Sequence, residues 1–253
     1  MNLEKAKALI DWCLKKGFPT YITHALNRND IVGALYRAWG HVVTNNLKGG
    51  YYEFGTYHGR SLIASYEVWK EYVGWVDAEK RSPEQWRREQ NWNLDRCFYA
   101  FDTFSGMPEN SEGNNMFAEG TYQSTLETVS AKCKKAGLVQ GSNVQLFQGA
   151  FDKFLQGPQS IDIENLQPAA IINIDCDLYA SAVAALKIVK PKMQQGTIIM
   201  FDDYNCFNAS NEEGERRALI EFLATNTHIE VEKVYSYAFV GQAFVVHRKE
   251  KSL

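Results

Sequence analysis

The chain lacks most of the features that place a protein in a class at a glance. Its five cysteines, Cys13, Cys97, Cys133, Cys176 and Cys206, form no CxxC pair and show no zinc-ligand spacing. An odd count, with no apolar signal core after Met1-Asn-Leu-Glu-Lys5, points to free thiols in a reducing cytoplasm. No apolar run approaches the roughly 20 residues of a membrane-spanning helix, so no membrane partner is expected. The formal net charge of −3 gives no case for nucleic-acid binding. Short basic clusters such as Lys132-Cys-Lys-Lys135 read as solvated helix faces. There is no internal repeat and no low-complexity segment. What is present is 253 residues with 45% hydrophobic content, enough for one α/β domain with additions.

Four carboxylates stand out against that background. Asp175 and Asp177 close the run Pro168-Ala-Ala-Ile-Ile-Asn-Ile-Asp-Cys-Asp177, and Asp202 and Asp203 close Gly196-Thr-Ile-Ile-Met-Phe-Asp-Asp203. Both runs are apolar almost without alternation, as in parallel strands buried on two faces. Between them Ala180–Pro191 reads as a crossover helix. A strand–helix–strand unit brings both strand ends to one edge, where open α/β sheets bind ligands. Acids gathered there repel one another unless a positive group lies between them, and a hard divalent cation suits oxygen ligands. Asp177 can also serve in part as a helix cap.

The rest of the pattern is β-α repeated. Residues 3–16 and about 30–45 are helical, the second starting at Asp30 as N-cap. Residues 1–45 read as a helical addition, a lid or an oligomer interface, ahead of a domain spanning 46–253. The strand Gly50–Gly55 leads into a helix from about Gly59 to Tyr72. A polar insertion at about 74–95 carries Trp75, Trp86 and Trp92. Then come a strand Cys97–Asp102, a helix Thr121–Gly137 stopped by its glycine, and a strand Asn143–Gln148. After the two acid-tipped strands, Glu212–Thr225 is helical, and His228–Tyr237 and Gly241–His247 alternate as a hairpin that Gly241 suits. The expected fold is a doubly wound, Rossmann-like sheet, mostly parallel, with a C-terminal antiparallel hairpin and N-terminal helices.

Three turns at the strand ends suit a cofactor. In Glu53-Phe-Gly-Thr-Tyr-His-Gly-Arg-Ser61, Gly55 permits a tight turn and Gly59 close approach by a ligand. Exposed amides at the helix start favour an anionic group, and Glu53 can hold an ammonium, although a two-glycine turn is often only a turn. Asp102, in Phe101-Asp-Thr-Phe104, is placed either to accept ribose hydroxyls or to cap its own turn. In Gln148-Gly-Ala-Phe151, Phe151 packs on an adenine or is plain core.

Glu53–Ser61, Phe101-Asp-Thr-Phe-Ser-Gly-Met-Pro108, Asp175-Cys-Asp-Leu-Tyr179 and Asp202-Asp-Tyr204 occur in this order. Together they resemble the macrocin O-methyltransferase (TylF/MycF) family, metal-dependent enzymes that move the methyl of S-adenosylmethionine to sugar hydroxyls in natural products. The resemblance covers about residues 45–225. It implies that Glu53, Gly55 and Ser61, with Thr56 and Tyr57, meet the methionine part of the cofactor. It likewise implies Asp102 at the ribose, and Thr103, Gly149, Phe151 and Asp175 complete the expected cofactor-binding set. Asp175, Asp202 and Asp203 are implied as Mg2+ ligands, and Asp177 as general base, with His58 and a hydroxide on the metal as rivals. The implied partner is a small hydroxylated acceptor, a sugar; the charge balance leaves no nucleic acid among the expected partners, and the apolar surface of the additions leads to the expectation of a homo-oligomer. The segment Asn205–Arg216 is longer and more polar than the family pattern, and it borders the expected acceptor position. The rival readings are a glycosyltransferase using Asp175-Cys176-Asp177 as a DxD motif and a binding protein that keeps the fold without the reaction.

Overall fold

The computed structural model describes residues 28–79, 95–110, 112 and 117–249. Seven strands form one sheet in the order β3-β2-β1-β4-β5-β7-β6. They are β1 (Gly50–Phe54), β2 (Phe98–Asp102), β3 (Val144–Gln148), β4 (Ala169–Ile174), β5 (Met193–Phe201), β6 (Ile229–Tyr237) and β7 (Gly241–Arg248). The first five are parallel, and β7 runs antiparallel between β5 and β6. Every residue of β4 is buried, which is why its sequence shows no alternation. Strand β6 lies at an edge and mixes exposed Glu230, Glu232 and Lys233 with buried Ile229 and Tyr237. Charged side chains on an edge strand discourage pairing with other chains.

Among the described residues, five helices of more than two turns cover the two faces: α1 (Ile31–Thr44), α2 (Arg60–Glu79), α3 (Leu126–Ala136), α4 (Tyr179–Val189) and α5 (Gly214–Thr225). Helices α1, α2 and α3 share a core with Tyr51, Ile171 and Met200, whereas α4 and α5 pack on Phe54, Ile172 and Phe201. Asp30 caps α1 as its sequence suggests, its Oδ1 accepting the Gly33 N–H at 3.0 Å. Leu35, Ala38, Trp39 and Val42 of α1 have no exposed surface, and Trp39 donates its indole N–H to Ser65 at 2.9 Å. The second part of the supposed addition is therefore a core layer. The expected helix over 3–16 and the Trp86–Trp92 part of the insertion lie outside the described residues.

Several boundaries differ from the sequence reading. Helix α2 continues past Tyr72 through Gly74 to Glu79. A glycine inside a helix costs about 1 kcal/mol but does not end it without a left-handed cap. Helix α3 begins at Leu126 because Tyr122 is left-handed (φ 55°), and Thr125 becomes the N-cap. At the other end Gly137 is the left-handed stop, with φ 98°. The β6–β7 turn is made by Ala238 (φ 50°), not by Gly241. Gly241 is needed for space instead: a Cβ there would lie 2.7 Å from the Tyr237 ring. No helix among the described residues is long and apolar enough to cross a membrane.

Candidate active site

The strand order reverses between β1 and β4, and a crevice opens there at the carboxyl ends of the strands. The glycine turn after β1 closes against β4. A Cβ on Gly55 (φ 91°) would fall 1.7 Å from the Asp175 carbonyl oxygen, so no other residue fits. The Asp102 carboxylate secures this turn. Its Oδ2 accepts the N–H groups of Thr56 (2.7 Å) and Tyr57 (2.8 Å), and its Oδ1 accepts that of Phe104 (2.7 Å). Gly59 faces Val129 of α3, where a Cβ would lie 3.2 Å from Val129 Cγ1, so it serves helix packing rather than close approach by a ligand.

Glu53 lies beneath this turn with no exposed surface and accepts the Tyr51 hydroxyl at 2.6 Å. Burial pushes its carboxyl up to about 7, against hydrogen-bonding groups on Tyr51, Ser61 and Asn173 that hold it down. Ser61 and Asn173 lie near it, yet Glu53 Oε1 keeps no hydrogen bond of normal geometry.

The acids converge as their sequence positions suggest. Asp175, Asp202 and Asp203 each present an oxygen within 4.8 Å of the others. Asp177, in a left-handed conformation (φ 61°), turns its carboxyl against that of Asp203. Burial, then the charge of Asp203, pushes Asp177 up to about 9. The same two causes bring Asp202 to about 6, and burial followed by the charge of Asp202 raises Asp175 well above the usual range. The Tyr237 hydroxyl has no partner of normal geometry but lies close enough to Asp202 to hold its carboxyl down in part. Like charges pressed together away from water gain stability from a cation in their midst, and three carboxylate oxygens are the hard ligands that Mg2+ takes.

A cavity of about 630 Å³ opens over the cluster, within the size range of small-molecule sites. Gly55, Tyr57, Asp102, Thr103 and Phe151 line one part, and Asp175, Asp177, Asp202 and Asp203 line the other. Glu53, Thr56, Ser61, His58 and Gly149 are not on its wall. The His58 ring lies against that of Tyr57, 3.8 Å between centroids and tilted by 31°. Gly149 donates its N–H to the Asp102 carbonyl at 2.9 Å, joining β3 to the second turn.

Sequence reasoning missed two groups of residues. Met107, Phe117 and Tyr122, from the loop after β2, wall the cavity, with Tyr122 edge-on to Tyr57 at 5.7 Å. Met107 belongs to the Phe101–Pro108 motif without standing out in it, and Phe117 and Tyr122 have no signal beyond following it. Glu215, at the start of α5, is fully buried below the acids. It reads in sequence like any first-turn glutamate.

A family model described as macrocin-O-methyltransferase (TylF) matches residues 88–235, more than half of the chain. Among solved structures, the O-methyltransferase NovP superposes with a TM-score of 0.62 at 18% identity, covering 87% of this chain and 79% of that one. The calicheamicin methyltransferase CalS11 gives 0.55 at 18% identity, covering 85% and 77%. These likenesses establish a common fold. No curated protein matches the chain.

Proposed function

The chain belongs to the macrocin-O-methyltransferase (TylF) family, and we propose that it transfers the methyl group of S-adenosylmethionine to a hydroxyl of a sugar or glycosylated natural product, with Mg2+ as a second cofactor. The observation that carries the metal-dependent reading is the cluster of Asp175, Asp202 and Asp203 on the wall of the cavity at the switch point. When bound, the cofactor supplies an electrophilic methyl on a sulfonium, and the cation supplies a Lewis acid that makes an aliphatic hydroxyl a better nucleophile.

The residues of the chain divide the remaining work. Asp102 and Gly55 hold the first turn against β4, so Tyr57 and Thr103 form a rigid wall on the cofactor side. A rigid wall aligns donor and acceptor, and alignment alone lowers the barrier by several kcal/mol (on the order of 7–11 at best). Asp175, Asp202 and Asp203 are the cation ligands. Asp177 lies beside them without belonging to that set and is the base, taking the acceptor proton on a carboxylate oxygen. Its ionisation depends on the cation, because the cluster alone holds its pKa near 9. His58 is off the cavity wall, which favours Asp177 over it. Membership of a methyltransferase family speaks against the glycosyltransferase reading of Asp175-Cys176-Asp177.

The test is a mass-spectrometric screen of glycosides with S-adenosylmethionine, with and without EDTA. A product heavier by one methylene, lost on chelation and restored by Mg2+, is expected. Full turnover by exhaustively chelated protein would remove the metal from the reaction.

A further inference from the structure

The two acid tips belong to separate loops, one leaving β4 and one leaving β5. The sheet ladder ends at Asp175, whose N–H meets the Phe54 carbonyl at 2.8 Å, and at Asp202, whose N–H meets the Ile174 carbonyl at 2.9 Å. The next amides in each loop lie beyond the ladder, and both go to one side chain. Glu215 Oε1 accepts the Cys176 N–H at 3.3 Å, and Glu215 Oε2 accepts the Asp203 N–H at 3.0 Å.

Several features converge to place that carboxyl. Phe207, Asn208 and Ala209 are left-handed in succession, with φ of 54°, 57° and 55°. This turn brings the Phe207 ring over Gly214, where a Cβ would lie 2.8 Å from the ring. Gly214 is itself left-handed (φ 58°), and the chain then enters α5 with Glu215 directed between the two loops. Cys206 adds its thiol to Asp203 Oδ1 at 3.0 Å. A fully buried carboxyl beside four half-buried aspartates is electrostatically unfavourable, so packing alone would select an apolar residue. The property in use is the fork: two acceptor oxygens take two N–H donors from different loops.

We propose that Glu215 is a positioning residue, whose grip on the Cys176 and Asp203 N–H groups sets the gap between the two acid tips and thereby the cation site. The inference rests on the metal-dependent transfer proposed above.

The experiment compares the full chain with Glu215→Gln, which offers one acceptor oxygen and turns an NH2 group toward the other amide. Mn2+ binding is measured by electron paramagnetic resonance, S-adenosylhomocysteine binding by calorimetry, and folding by the melting temperature. Glu215→Gln is expected to weaken Mn2+ binding by roughly 10–100-fold, the range for groups that orient metal ligands, with S-adenosylhomocysteine affinity unchanged within about twofold. If the variant does not fold, Gly214→Ala takes its place; it keeps the carboxyl but displaces it, and the same split between the two ligands is expected. Unchanged Mn2+ affinity in a folded variant overturns the inference, as does parallel loss of both ligands, which would mark Glu215 as a general prop. Parent protein that binds no Mn2+ overturns the metal reading itself, a distinct result from a parent that binds and a variant that binds equally well.

Discussion

The two edges of the sheet solve the same backbone problem with different residues. At the amino ends of the strands, left-handed turns fall mostly to glycine: Gly49 before β1, and Gly137 and Gly141 before β3, with φ of 115°, 98° and 76°. Asn46 is the exception, and asparagine tolerates that region better than most residues. At the carboxyl ends, left-handed positions are held by Tyr57, Phe104, Tyr122, Asp177, Phe207, Asn208, Ala209 and Ala238 as well as by glycines. A residue with a Cβ in that conformation costs about 1–2 kcal/mol. Such strain persists where the surroundings over-determine it, and it gathers at functional sites. The amino edge is built for stability; the carboxyl edge spends stability around the cavity, with Tyr57, Tyr122 and Asp177 on its wall.

Changing the proposed base should break this comparison most sharply. Asp177→Asn is expected to lower turnover by roughly 10²–10⁴-fold, as for loss of a general base, while Mg2+ and S-adenosylhomocysteine still bind. Single-turnover methyl transfer at saturating ligands measures it. A rate near that of the parent assigns proton removal elsewhere, and lost metal affinity would make Asp177 a ligand.

The next effect is a loss of cofactor affinity at the first turn. Asp102 holds three backbone N–H groups in place. Asp102→Ala should weaken S-adenosylhomocysteine binding by about 1–3 kcal/mol, the cost of losing a charged hydrogen-bond partner, and leave Mn2+ binding nearly intact. Calorimetry that finds cofactor affinity unaltered would leave Asp102 a turn residue alone.

The acid cluster also makes the carboxyl edge sensitive to pH. Asp177 near 9 and Asp202 near 6 lie above the ordinary carboxylate value, so without a cation the folded state binds protons more tightly than the unfolded chain. The stability this contributes is fully present below about pH 4 and is lost as pH rises through about 6 and then about 9. The melting temperature of metal-free protein should fall across that window. Mg2+ should raise it, and by more at the alkaline end, where fewer protons must leave. A metal-free melting temperature flat across the window would mean that the acids are relieved in another way.

Much of this layout was legible in the sequence, and for a physical reason. Strands buried on both faces are apolar with few exceptions, Asn173 among them, so Ala169–Ile174 and the acids that end the two runs announce both the strand and its edge. A left-handed cap selects glycine, so Gly137 marked its helix end. What stayed hidden depends on contacts between distant segments. Gly241 looked like a turn residue because its need, space for the Tyr237 ring, arises only when β6 and β7 pair. Glu215 carries no local mark because its partners, Cys176 and Asp203, come from two other loops. The left-handed run at 207–209 is also hard to see, since Phe207 and Ala209 carry no signal for it and Asn208 alone favours that region.

The smallest expected effect tests the comparison most directly. Gly137→Ala at the amino edge adds a Cβ in a left-handed conformation, 3.4 Å from the Tyr66 ring, and should destabilise the protein by about 1 kcal/mol or somewhat more. Ala209→Gly at the carboxyl edge is the reverse exchange. It relieves the Cβ strain, about 1–2 kcal/mol, and adds back the freedom that glycine has in the unfolded chain, about 0.5–1 kcal/mol. The net should be a gain of about 0–1.5 kcal/mol by denaturant unfolding. Ala209 itself makes a backbone bond to the Asn205 carbonyl at 3.2 Å, which glycine retains. If the turn is held strained in order to seat Phe207 and Glu215, the more stable variant should bind Mn2+ no better than the parent. If Ala209→Gly instead destabilises the protein, the left-handed run is not strained, and the contrast between the two edges loses its energetic basis.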